Sequence, residues 1–174
     1  AIALACMALD KDEIVLVTPS DHLIKNEKEY NNVLNKAQNL AKQDHIVTFG
    51  ITPTFAEIGF GYIEANNFDV KAFHEKPDLK TAKRYIEANN NQQSTSNYMW
   101  NSGMFCFKAG VFLEELKKYS PEIYETSKLA FENKKETKNN QIRITHEYMS
   151  KIPEDSIDYA VMEKSDKVKV VPSD

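Results

Sequence analysis

The 174 residues carry 22 Lys and Arg against 26 Asp and Glu, for a net charge of −4 and a pI near 5.6. A hydrophobic content of 41% and a charged content of 28% are those of a folded globular chain and argue against a disordered one. The scattered basic residues argue against a nucleic-acid-binding face, and no apolar run approaches the ~20 residues of a membrane-spanning helix.

Residues 1–9, Ala-Ile-Ala-Leu-Ala-Cys-Met-Ala-Leu, are small and apolar and predict a buried helix packed on a sheet. Asp10-Lys11-Asp12 is a turn, and residues 13–18 form a strand. Its core, residues 14–17, is apolar without alternation, the pattern of a strand buried on both faces in the middle of a parallel sheet. Pro19 cannot donate to a ladder and stops the strand. Asp21 therefore sits just past a carboxyl end, the edge where open α/β sheets bind ligands. A carboxylate there either binds a hard cation or caps the next helix.

Tyr30, Val33, Leu34, Ala37, Leu40 and Ala41 fall at helical spacing, with Asn26 as N-cap and Glu29 in capping-box position. Residues 46–51 are a second apolar strand, which completes a βαβ unit feeding a parallel sheet. Short strands at 59–64 and 68–75 then flank Asn66-Asn67, a pair suited to positive φ. Asp78 caps a helix carrying Leu79, Ala82, Tyr85 and Ile86, and residues 89–97 are a polar loop. Asn101-Ser102-Gly103 breaks the apolar pieces 98–100 and 104–107. A helix over 109–119 is followed by another that Ser120 caps and Pro121 starts. Residues 134–140 are a charged surface connection, 156–164 a short helix and 167–171 a closing strand.

No repeat and no second domain is visible, so residues 1–174 read as one domain. The chain opens without Met inside a helix pattern and closes directly after a strand, which reads as an internal piece of a longer protein. Cys6 and Cys106 lie in apolar runs without metal-ligand spacing and read as reduced core thiols of a cytosolic protein.

Four loop stretches carry chemistry, each with a plainer alternative. Pro19-Ser20-Asp21-His22 is the first. Gly59-Phe60-Gly61-Tyr62 allows a ligand to approach the backbone, or marks a bulge. Glu75-Lys76-Pro77 sets an acid and a base at a strand end, or is a pair of solvated charges. Trp100-Asn101-Ser102-Gly103 offers an amide donor and acceptor together, or an Asn that satisfies a turn.

In this order, and together with Ser156-Ile-Asp-Tyr-Ala-Val-Met-Glu163, these stretches resemble the sugar-nucleotide pyrophosphorylases. The likeness is closest to bacterial mannose-1-phosphate guanylyltransferases, including the bifunctional type fused to a mannose-6-phosphate isomerase, and it covers essentially the whole chain. It implies an α/β, Rossmann-like nucleotidyltransferase fold with a mixed, mostly parallel sheet, of which this chain is the central and sugar-binding part. It also implies a cytoplasmic enzyme of GDP-mannose synthesis that joins GTP to mannose 1-phosphate with Mg²⁺, releasing pyrophosphate. A homo-oligomer stays open. By the resemblance Asp21 is a metal ligand and, with Lys76, catalytic. Lys76 meets the sugar phosphate, Glu75 accepts from sugar hydroxyls, Asn101 contacts the sugar and Gly61 presents its backbone to it.

The departures are specific. The family's glycine-rich nucleotide loop would precede this chain and its second metal-binding Asp would follow Asp174, so the segment alone is expected to be inactive. Phe60 stands where Tyr is usual, and Ala56 and Ile58 replace a common Pro and Thr. Base choice is set mainly in the nucleotide loop, which leaves a pyrophosphorylase for another sugar as an alternative. A non-catalytic nucleotidyltransferase-like binding subunit is a second.

Overall fold

The structure, a computed structural model, describes residues 1–91, 94–136 and 141–173. In chain order the elements are α1 (Ile2–Met7), β1 (Ile14–Val17), α2 (Glu27–Lys42), β2 (Ile46–Ile51), β3 (Tyr62–Asn66), β4 (Asp69–His74), α3 (Leu79–Asn89) and β5 (Asn97–Lys108). There follow α4 (Ala109–Tyr119), α5 (Pro121–Glu132), β6 (Lys135–Glu136), β7 (Ile142–Arg143), α6 (His146–Met149), a π-helical turn at Asp158–Met162 and β8 (Val168–Ser173). They divide into two compact units, one of residues 1–13 and 108–166, the other of residues 14–107 and 167–174.

The first unit is helical. Helices α1, α4 and α5 pack on one another around Cys6, Phe112, Leu116 and Ala130. Ser120 was expected to cap α5, but its hydroxyl instead donates to the Ala160 carbonyl at 2.9 Å, while Pro121 stands at the helix start as predicted. The helix expected over 156–164 is the π-helical turn. The charged connection is partly the β6–β7 pair, and its residues 137–140 lie outside the described residues.

The second unit holds a six-stranded sheet of order β1-β5-β2-β8-β4-β3. The expected mixture of strand directions is present, but its balance differs from the expected mostly parallel one. Strands β2 and β8 run parallel, whereas β2–β5, β3–β4, β3–β5 and β4–β8 are antiparallel. The physical reason lies in β5, a 12-residue strand that enters between the two strands of the expected βαβ unit. Its first half pairs with β3, and residues from Trp100 to Cys106 pair with β2. The sheet thereby curls, and Ile63, Ala65, Met99 and Val170 form a buried cluster with Gly50 against them. A Cβ on Gly50 would lie 2.7 Å from Met99 Sδ and 2.8 Å from Val170 Cγ2, so only glycine fits there.

Among the described residues β1 is an edge strand with Leu16 41% exposed, not the doubly buried central strand its apolar run suggests. Helix α2 covers Val47, Phe49, Met104 and Cys106 with its buried Val33, Ala37 and Ala41. Its Asn26 cap accepts from the Glu29 N–H at 3.2 Å, and Asp78 caps α3 by accepting from the Thr81 N–H at 2.7 Å. Asn67 takes φ +53° in the β3–β4 turn, as its side chain permits. Cys6 and Cys106 are buried free thiols whose pKa values desolvation pushes up to about 12 and about 11, which makes them inert.

Candidate functional site

Three of the loop stretches converge at one end of the curled sheet. Gly61 ends the loop before β3, Glu75 follows β4, and Asn101 lies within β5 beside both. The Asn101 N–H donates to the Gly61 carbonyl at 2.8 Å. A Cβ placed on Gly61 would lie 2.7 Å from Glu75 Oε2 and 3.8 Å from Asn101 Cβ. Gly61 therefore owes its identity to the close approach of a carboxylate, and not to a positive φ or a bulge. The sequence suggested a ligand's approach to the backbone or a bulge, and a neighbouring carboxylate is neither.

The Asn101 side chain is held firmly. Its Oδ1 accepts from the buried Thr48 hydroxyl at 3.2 Å and from the Gly103 N–H at 3.2 Å. The second contact is the turn expected of an Asn in this position, and it coexists with a place at the site. Gly103 takes φ +69° and the β2–β5 register shifts beside it, so β5 bulges here where the sequence suggested a break. Thr48 was not foreseen. A buried Thr inside an apolar strand is the signal that could have found it.

Glu75 and Lys76 are paired at 3.6 Å, with side-chain exposures of 29% and 67%. The Lys76 side chain stands in solvent. Lys76 has φ +42°, a left-handed conformation, immediately before Pro77. A non-glycine residue there is strained, and such strain concentrates at ligand clamps.

The β1–β5 neighbourhood brings a further stretch in. Pro19 Cγ would touch a Cβ on Gly103 at 3.8 Å, which sets the Pro19-Ser20-Asp21 turn beside Asn101-Ser102-Gly103. Asp21 and Ser102 both line a cavity of about 500 Å³ with Glu29, Tyr30, Phe49 and Met104. That is the size of a small-ligand site. Asp21 does not cap α2, since Asn26 does, so its plainer alternative is removed. Among the described residues no group of three His, Cys, Asp or Glu side chains gathers around a metal position. One exposed carboxylate still fits Mg²⁺, an ion that keeps several waters and takes substrate phosphates alongside one or two carboxylates.

The loop carrying Gly59 is fastened internally. Glu57 Oε1 accepts from the Ile58 and Gly59 N–H groups at 2.8 Å each, and Glu57 exchanges two backbone bonds with the Tyr62 hydroxyl at 3.0 and 2.9 Å. Phe55 and Phe60 set their rings edge-on to Trp100 at 5.0 and 5.4 Å. Phe60 thus keeps the aromatic packing available to Tyr at this position.

Residues 1–145 match the nucleotidyl transferase family. The chain is 44% identical to a mannose-1-phosphate guanylyltransferase of Salmonella muenchen over 99% of its own length and 37% of that protein's. It is 39% identical to one of Escherichia coli K12, over 100% and 38%. A crystal structure of mannose-6-phosphate isomerase from Helicobacter pylori superposes with TM-score 0.87 at 40% identity, over 98% of this chain and 66% of that one. The chain spans little more than a third of the length of these curated relatives.

Proposed function

This chain belongs to the nucleotidyl transferase family, and on that premise we propose that the whole protein joins GTP to mannose 1-phosphate, giving GDP-mannose and pyrophosphate. The observation that carries this reading is the contact of Gly61, Glu75 and Asn101, three stretches far apart in sequence. The names of its relatives supply the sugar and the nucleotide.

The chemical problem is the approach of two anions, one of which attacks the α-phosphorus of the other. Positioning and charge neutralisation therefore supply most of the catalysis. Glu75 accepts hydrogen bonds from ring hydroxyls, and Gly61, lacking a Cβ, lets the hexose lie against the backbone beside it. Asn101, fixed by Thr48 and Gly103, sets the lateral position of the sugar. Lys76 projects its ammonium into solvent at the mouth of this group, where it holds the phosphate monoester as a compact point charge. Asp21 holds Mg²⁺, which when bound neutralises charge on the phosphates.

The test supplies the whole protein with GTP and mannose 1-phosphate and measures GDP-mannose and pyrophosphate. Glucose 1-phosphate, UTP and dTTP are run beside them. GDP-mannose as the dominant product supports the reading. A dominant product from another sugar 1-phosphate or another nucleotide, or none, overturns it.

A further inference from the structure

Strand β4 ends at His74, and the two residues proposed to meet the sugar phosphate follow at once. Beyond that point no ladder holds the chain, and Lys76 turns it with φ +42°. On the far side Asp78 fixes the chain at the start of α3, and on the near side the last residue the sheet holds is His74. Its ring is gripped from three elements. Nε2 lies 3.3 Å from Glu64 Oε2 on β3, and with the carboxylate ionised Nε2–H is the donor. The ring packs at 5.1 Å on Tyr85 of α3 and at 6.1 Å on Tyr98 of β5. Those two tyrosines stack on each other at 4.3 Å and 12°.

Glu64 is itself secured. Its Oε1 accepts from the Ser96 hydroxyl at 2.8 Å, and Ser96 in turn accepts from the Lys71 ammonium at 2.8 Å. Burial works to raise the Glu64 pKa, but bonds from Ser96, His74 and Tyr98 outweigh it and hold the carboxyl below its usual range. Side chains alternate along a strand, so with His74 turned to Glu64 and the tyrosines, Glu75 is delivered to the opposite face. There it meets Gly61.

We propose that His74 is a positioning residue for the sugar phosphate site: held between Glu64 and the Tyr85–Tyr98 stack, it fixes where Glu75 and Lys76 leave the sheet. The inference rests on the sugar-phosphate reading given above for its consequence in catalysis, though not for the anchoring itself. His74 touches no substrate. Its effect falls on one substrate only, because the exit of β4 carries the sugar-phosphate contacts.

The test uses three variants of the whole protein. His74→Phe keeps a ring on Tyr85 but drops the link to Glu64, Glu64→Gln weakens the same link from the other side, and the third combines them. Each single variant is expected to raise KM for mannose 1-phosphate roughly three- to ten-fold, the scale of a displacement well under 1 Å, with kcat and the KM for GTP nearly unchanged. The double variant should be no worse than the poorer single one, since both cut one link. Amide hydrogen exchange is read in parallel. The last ladder residues of β4, 72 to 74, should exchange faster in both single variants while α2 keeps its protection. Unchanged exchange at 72 to 74 overturns the anchor, whatever the kinetics. Faster exchange with wild-type KM overturns the functional half. A wild-type protein that uses no sugar 1-phosphate refutes the function proposed above and the functional half with it, while exchange still judges the anchor.

Discussion

Gly61→Ala separates folding from binding more cleanly than any other single change here. The new Cβ would stand 2.7 Å from Glu75 Oε2, well inside ordinary van der Waals contact, and 3.8 Å from Asn101 Cβ, which is acceptable. The carboxylate is the far end of a flexible side chain, so it swings aside at little cost. Gly61 does not have a positive φ, so alanine adds no backbone strain and narrows the unfolded ensemble by about 0.4–1 kcal/mol. Stability should then stay level or rise slightly. Binding should not. A hydrogen bond to a charged group is worth about 1.5–3 kcal/mol, and the displaced Glu75 forfeits it, so KM for mannose 1-phosphate rises roughly ten- to a hundred-fold. The assay is steady-state kinetics with each substrate varied in turn, alongside thermal unfolding of the same samples. A wild-type KM for the sugar phosphate, or an equal loss for GTP, would refute the reasoning.

Other expectations follow from the same geometry. Lys76→Ala should raise KM for mannose 1-phosphate about ten- to a hundred-fold with little effect on GTP, measured by the same kinetics. Lys76→Gly should lose as much binding yet unfold at a temperature no lower than Lys76→Ala, because glycine accepts φ +42°. Asp21→Asn should lower turnover by roughly two to three decades and leave the melting temperature unchanged, since Asp21 is exposed. Gly50→Ala should cost about 1–3 kcal/mol in denaturant unfolding, because Met99 and Val170 leave no room for a methyl group. The Thr81 N–H holds the Asp78 carboxyl below its usual range, and a bond from Lys169 does the same for Asp69. A depressed folded-state pKa gives stability above the unfolded value that is lost as pH falls through the lowered one, so the melting temperature should drop on acidification below about pH 5. Asp78→Asn keeps a cap and should make that drop shallower.

Local chemistry was legible in the sequence and long-range pairing was not. Asn26, Asp78 and Asn67 do what their side chains dictate within a few residues, and each stands as expected. The entry of β5 between β1 and β2 has no local signature, because antiparallel pairing across some 55 residues leaves no trace in periodicity. Ser120 shows the same limit, since the Ala160 carbonyl 40 residues away takes its hydroxyl from the helix end. At the candidate site Gly61, Glu75, Lys76 and Asp21 stand outside the strands as the sequence suggested, Asn101 lies within the bulged β5, and the role of each belongs to the proposal. Thr48 and His74 were not legible, because each acts through a neighbour that only the fold brings near.

A crystal structure of the whole protein with mannose 1-phosphate tests the central claim most directly. The account predicts a hexose lying against Gly61 with its hydroxyls on Glu75 and its phosphate on Lys76. A hexose bound in the cavity between Tyr30 and Phe49, with Glu75 and Lys76 turned to solvent, would contradict it.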